Sequence, residues 1–481
     1  MSARRGRARQ HNAARRVLVG VLVVAGVAAL AFAFRPGPEP AAGATSAPRL
    51  ATALWSPRRV AEPFRRAVAA QRLQSDLTAA IGGTPSCVEV ADSGGVVASV
   101  GPAGGQLPGS TQKLLTALTA VHVLGPTSTF TTRAVASGPP RNGTLQRLYL
   151  VGGGDPLLST PERAAALSQD PETRGEATTS LAGLADAIVA SGVRSIPGGI
   201  VADDHRYDQQ RFSVYWPAHY VTDRETGAIG ALDVNRGFGA PAGDGAAATD
   251  PALSTADQLA RLLLARGVVV GPSSRGVAPS GALQIASVRS PPLTSVLAEM
   301  LGSSDNFTAE MLVKEIAVHS GEHGTTDNGV AVIRRTITGL GLPTQGWVMV
   351  DGSGLSRDDR VSCALLLGAI GLARTPQFAS IAAGLPVAGR SGTLVQRLTG
   401  TDLDGVLRAK TGTLDGVTGL VGFIDLRAHV DFALLLNGGA AGTGTGADQR
   451  DRIALQIAGY PDAPPTEVLV PAPASPTERT S

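Results

Sequence analysis

The chain has 481 residues, of which 43% are hydrophobic and 17% charged, and it carries a net charge of +3. That length accommodates roughly two to four domains and a sizeable core. The composition excludes a fibrous or wholly disordered chain, and the cations are too scattered for nucleic acid to be an expected partner.

Residues 1–16 are the exception to that scatter. They are rich in arginine and free of acids, and an apolar run, Val17–Phe34, follows without interruption. Eighteen apolar residues lie at the border between a signal h-region and a spanning helix. The flanking arginines favour an N-terminus inside and the remainder outside. No tidy small-x-small site closes the run, so an uncleaved anchor is preferred over a cleaved signal. Residues 35–64, rich in Pro and Ala, read as a tether, and 462–481 as a flexible tail.

A helix is predicted over 65–80. CVEVADSGGVVASV then reads as two strands around a turn. In GSTQKLLTALTA, Ser110 precedes an apolar face of Leu114, Leu115, Leu118 and Val121, which places it at a helix start. From 131 to 290 short strand-like pieces alternate with turns and with helices near 180–191 and 256–266. This stretch reads as one or two inserted β-rich modules. Helical patterns return from 291 in LTSVLAEML, TAEMLVKEIAVHS and RVSCALLLGAIGLAR. GVLRAKTGTLDGVTGLVGFID predicts a strand, an Asp-Gly turn and a second strand, and VDFALLLNG one more. The expected core is therefore an α+β arrangement, an antiparallel sheet with helices, whose two parts (65–130 and 291–461) are separated by the insert.

Only three lysines, Lys113, Lys314 and Lys410, stand against 39 arginines. Lys113 lies three residues after Ser110, on the same helical face. Serine is a weak nucleophile until a base removes its proton. A desolvated lysine can be that base, whereas arginine does not deprotonate. Lys410 opens Lys410-Thr411-Gly412-Thr413 on an edge-like strand, where the glycine is expected to let a substrate approach the backbone. A second cation nearby would further depress Lys113. Ser304-Asp305-Asn306 offers a hydroxyl and a carboxamide at a junction between helices. Lys314 reads as structural.

The order S-x-x-K, S-x-N, K-T-G is that of penicillin-recognising serine enzymes. With the long insert, LYLVGGGDPLL, VDGSGLSRDDRVS and LPVAGRSGTL, residues 70–460 resemble the peptidase S13 family. These are class C low-molecular-mass penicillin-binding proteins with D-alanyl-D-alanine carboxypeptidase or endopeptidase activity. The resemblance implies a penicillin-binding/β-lactamase-like fold and an acyl-enzyme on Ser110, with Lys113 as base. It implies that Ser304 relays a proton, Asn306 binds substrate backbone, Lys410 and Thr411 bind the terminal carboxylate, and the N–H groups of Ser110 and Thr413 form the oxyanion hole. It also implies that Arg357 meets a diaminopimelate carboxylate and that Asp203 or Asp204 meets the ammonium of that side chain. Stem peptides ending in D-Ala-D-Ala are the implied substrates and β-lactams the implied inhibitors. No cofactor is called for. Ser391 in GRSGT departs from the pattern and has no assigned role. A β-lactamase of the same fold, or a silent penicillin-binding scaffold, are the competing readings.

Three further signals carry less. HSGEH (His319–His323) matches an inverted zinc-protease pattern, but Gly321 argues for a helix end, so no metal is expected. VGGGDP and GTGTG read as turns, lacking the strand–loop–helix context of a phosphate loop. Cys87 and Cys363 can form one disulfide outside the cytoplasm; two buried thiols are the alternative.

Overall fold

The computed structural model describes residues 61–439 and 441–462. The basic segment, the apolar run, most of the tether and the tail lie outside them. Among the described residues no helix is long and apolar enough to cross a membrane.

Helix α1 (Ala61–Ile81) buries Ala69, Leu73, Leu77 and Ile81, one residue per turn on a single face. Strands β1 (Cys87–Asp92) and β2 (Gly95–Val100) form the predicted hairpin. A 3₁₀ turn, Gly109–Gln112, runs directly into α2 (Lys113–Leu124). The insert supplies β3 (Thr131–Ala136), β4 (Leu148–Val151), α3 (Leu181–Ala190), β5 (Ile200–Asp203), α4 (Pro251–Leu264), β6 (Ser274–Arg275) and β7 (Leu283–Arg289). Helices α3 and α4 start on a side-chain cap, Ser180 accepting from Gly183 N–H and Asp250 from Leu253 N–H. Then come α5 (Leu293–Gly302), α6 (Asn306–His319), α7 (Thr326–Gly339) and α8 (Cys363–Ala373). Strands β8 (Arg408–Leu414), β9 (Val417–Asp425) and β10 (His429–Asn437) and helix α9 (Gly444–Ala458) complete the chain.

One antiparallel sheet has the order β8-β9-β10-β1-β2, so the last strand pairs with the first, Val88 opposite Leu434. On one face it packs against α2, α5, α6, α7 and α8 through Leu115, Leu297, Ile333, Ile370 and Val421. On the other it packs against α1 and α9 through Leu77, Phe432 and Ile453. The fold is α+β, with helices on both faces of this sheet. The second sheet, β6-β5-β4-β3-β7, is mixed and has its own core with α3 and α4. Two ion pairs join α6 to the insert: Lys314 with Asp208, and Glu315 with Arg206, whose Nε lies 2.9 Å from the carboxylate.

Cys87 and Cys363 form a disulfide across 276 residues, tying β1 to the start of α8. Helix α6 ends at His319, so His319 and His323 do not share a helical face. GTGTG begins in the expected turn, at Gly442, and runs on into a helix. It leads from β10 into α9, and Thr443 caps that helix by accepting from Gly446 N–H, so strand–loop–helix context is present although the phosphate-loop lysine is not.

Candidate active site

The 3₁₀ turn presents Ser110, and the first turn of α2 places the Lys113 amine beside it. Lys113 Nζ is fully buried and donates to Ser110 Oγ at 2.7 Å, Asn306 Oδ1 at 2.6 Å and the Ser353 carbonyl at 2.9 Å. These three acceptors are all neutral. Burial pushes the amine down to about 8, against the pull of Asp305, Asp351, Glu310 and Glu225. Burial, one of the two causes the sequence offered, is the leading one.

Asn306 opens α6, and its Nδ2 donates to the Glu225 carbonyl at 2.7 Å. Asp305 caps the same helix, accepting from Thr308 N–H at 2.6 Å. Ser304 sits in the joint between α5 and α6 at φ +63°, an uncommon conformation for serine. Its Oγ accepts from Lys410 Nζ at 2.7 Å, and Lys410 donates also to the Thr411 carbonyl. Lys410 is fully buried on the edge strand β8, and burial followed by Lys113 holds its amine well below the ordinary range. Ser110, Ser304, Asn306, Thr393, Thr411 and Thr413 share a cavity of about 380 Å³. Hollows of about 560 and 710 Å³ lie elsewhere but lack this set of groups.

Gly412 answers to a different constraint from the one expected. A Cβ there would stand 2.8 Å from the Pro108 carbonyl and 3.0 Å from Thr111 Cγ2. The glycine lets β8 pack against the turn that carries Ser110, rather than opening the strand to substrate.

The family model for the D-Ala-D-Ala carboxypeptidase 3 (S13) family matches residues 66–242 and 239–459. The chain belongs to the S13 family. It is 32% identical over 434 residues to a D-alanyl-D-alanine carboxypeptidase of an Actinomadura species (strain R39), covering 74% of this chain and 77% of that one. It is 30% identical over 442 residues to carboxypeptidase DacB of Mycolicibacterium smegmatis, covering 88% and 92%. Among solved structures, penicillin binding protein 4 of Haemophilus influenzae superposes with a TM-score of 0.67 at 21% identity, over 80% of this chain and 99% of that one. That likeness shows a shared fold.

Arg357, Asp203 and Asp204, which the S13 resemblance carried as substrate-binding residues, do not line the cavity. Arg357 is exposed, and its Nη1 donates to the Asp415 carbonyl in the β8–β9 turn at 2.8 Å. Asp203 and Asp204 are a correction. Both are buried at the end of β5 and already occupied. Asp204 takes Arg211 at 2.6 Å and also Arg275, while Asp203 takes His205 and the Ala278 N–H at 2.7 Å. A carboxylate so engaged has no place for a substrate ammonium. Sequence reasoning passed over Thr393, whose Oγ1 lies 2.8 Å from Thr411 Oγ1. The quoted GRSGT already contained it. Ser391, left without a role, accepts from Val387 N–H at 3.2 Å and shapes that turn.

Proposed function

We propose that this S13 protein is a serine D-alanyl-D-alanine carboxypeptidase acting on peptidoglycan stem peptides through an ester on Ser110. The observation that carries the reading is one buried amine bonded at once to Ser110 and Asn306, beside a second bonded to Ser304. Neutral Lys113 takes the Ser110 proton as Oγ attacks the penultimate D-Ala carbonyl. The N–H groups of Ser110 and Thr413 receive the oxyanion. The C–N bond breaks, Ser304 passes a proton to the leaving D-Ala amine, and water then releases the acyl group. Lys410 and Thr411 receive the terminal carboxylate, whose charge offsets the burial that depresses Lys410. The disulfide and the family's action on the cell wall fit an extracytoplasmic location. In this reading residues 17–34 tether the catalytic unit to the membrane.

A fluorescent penicillin followed by intact-protein mass tests the reading. A stable adduct on Ser110 supports the peptidase, rapid release of hydrolysed drug favours a β-lactamase, and no adduct sinks both. The acylation rate should also follow the neutral form of Lys113. It should fall about tenfold per pH unit below its midpoint and level off above a midpoint near 8. A rate that rises toward acid would contradict the lysine base. For specificity, Arg357→Ala should lower kcat/KM for diaminopimelate-containing peptides by roughly tenfold, the worth of one charge-assisted hydrogen bond, and spare simple acyl-D-Ala-D-Ala. Equal losses on both substrates would remove Arg357 from the binding site.

A further inference from the structure

Asn235, Arg236 and Gly237 occupy three successive left-handed conformations (φ 58, 59 and 73°). Two of them are not glycine, so the turn must be held by its surroundings. Asn235 supplies much of that hold. Its side chain accepts from Thr160 N–H at 3.0 Å and donates to the Pro241 carbonyl at 2.9 Å. The turn projects one arginine out of the insert.

The Arg236 guanidinium meets three carboxylates from three segments. It lies 2.7 Å from Glu176 and 3.5 Å from Asp305, and it also bonds Glu299. Asp305 is the middle residue of Ser304-Asp305-Asn306. Glu299, on α5, accepts from Thr308 Oγ1 at 3.2 Å, and its carbonyl accepts from Ser303 N–H at 3.1 Å. The bonds made by Arg236, Glu299 and Asp305 thus enclose the joint in which Ser304 is held at φ +63°. Each partner is a buried or nearly buried carboxylate, with side-chain exposures of 9%, 1% and 11%. Without the guanidinium, acidic groups from three segments would lose the one cation bonded to all of them, leaving Arg163, which feels the same acids but forms no ion pair with them. The joint would then be free to relax away from Lys410 and Lys113.

We infer that Arg236 is a positioning residue for the acylation reaction, holding Asp305 and Glu299 so that Ser304 and Asn306 stay registered on Lys410 and Lys113. The insert is then a working part of the active site. The inference rests on the acyl-enzyme reading above, so the unsubstituted protein is labelled first, and absence of a Ser110 adduct there overturns both. The decisive variant is the pair Arg236→Met with Glu299→Gln, which removes the cation and one of the acids it neutralises. Its Tm should remain within a few degrees of the parent, while the acylation rate at the high-pH plateau falls roughly tenfold or more, as expected for a displaced catalytic group. Arg236→Lys should recover most of that rate. A folded double variant whose plateau lies within about twofold of the parent overturns the inference alone, because a purely structural arginine predicts that rate returns with stability. If the double variant does not fold, Asp305→Asn is read in its place. It keeps an oxygen to cap α6 but loses the charge that Arg236 holds. An unchanged plateau there overturns the inference, and a fall with Tm preserved supports it.

Discussion

Exchanging Lys113 for arginine is expected to remove acylation of Ser110 almost completely, by about 100- to 10,000-fold, the usual contribution of a positioned general base. The expectation follows from what surrounds the amine. It is fully buried, its direct partners are neutral, and burial has already brought its pKa down to about 8. An arginine would preserve the charge and even the donors to Ser110 and Asn306, but a guanidinium does not give up its proton in a protein. Stopped-flow labelling with a fluorescent penicillin, on protein whose fold is verified by circular dichroism, measures the effect. Near-normal labelling would refute the base role.

Asp351→Ala should be the most destabilising single substitution near the site. Oδ1 accepts from Gly354 N–H at 2.7 Å and from Gln112 Nε2 at 3.1 Å. Oδ2 accepts from Ser356 N–H at 2.7 Å and from Trp216 Nε1 at 2.8 Å. Alanine leaves up to four buried donors without this acceptor, each costing about 1–3 kcal/mol. Gln112 keeps its bond to the residue 351 carbonyl, which reduces the loss. One gain opposes it, since Asp351 helps to hold the carboxyls of Glu310 and Asp359 above their ordinary range. Burial, not Asp351, is the larger cause for both acids, so only the smaller part of that upward pressure is relieved. A net loss of about 4 kcal/mol is a large part of a typical folding free energy. For a chain of this size it corresponds to about 5 °C in Tm. A shift below about 1 °C in a thermal melt would show that the loop does not depend on this carboxylate. Acylation should fall with it, because Ser353, two residues on, supplies a carbonyl to Lys113.

The contact of Lys113 with Ser110 was legible because its geometry is local. Ser110 and Lys113 are one helical turn apart, so their contact follows from spacing alone. Strands β1, β2, β8, β9 and β10 announced themselves through short β-rich runs bounded by glycine turns. What escaped was set by distant partners. Asp203 and Asp204 looked available in sequence, and only the fold brings Arg211, Arg275 and the Ala278 N–H onto them. Gly412 looked like a window for substrate, whereas its small size answers to Pro108, just before the turn that carries Ser110. Helix α7 carries threonines and glycines that weaken a local helical signal, yet it is stabilised by a Thr325 cap and by burial of Val330, Ile333 and Ile337. The pairing of Cys87 with Cys363 stayed open for the same reason, since no local pattern joins positions 276 residues apart.

That pairing, with β1 lying against β10, sets an order of events when the chain is made and exported. The hairpin β1–β2 reaches the exterior first, and its sheet partner is among the last segments to follow. The insert, whose strands are all in hand by Arg289, has everything it needs to collapse on its own core in the interval. Cys87 meanwhile waits as a free thiol for a partner near the far end of the chain. Ser110 and Lys113 are likewise out before Ser304 and Lys410. An enzyme that acts on the wall around it therefore becomes competent only when its final strands arrive, and a chain cut short before β10 would leave that first hairpin without its neighbour.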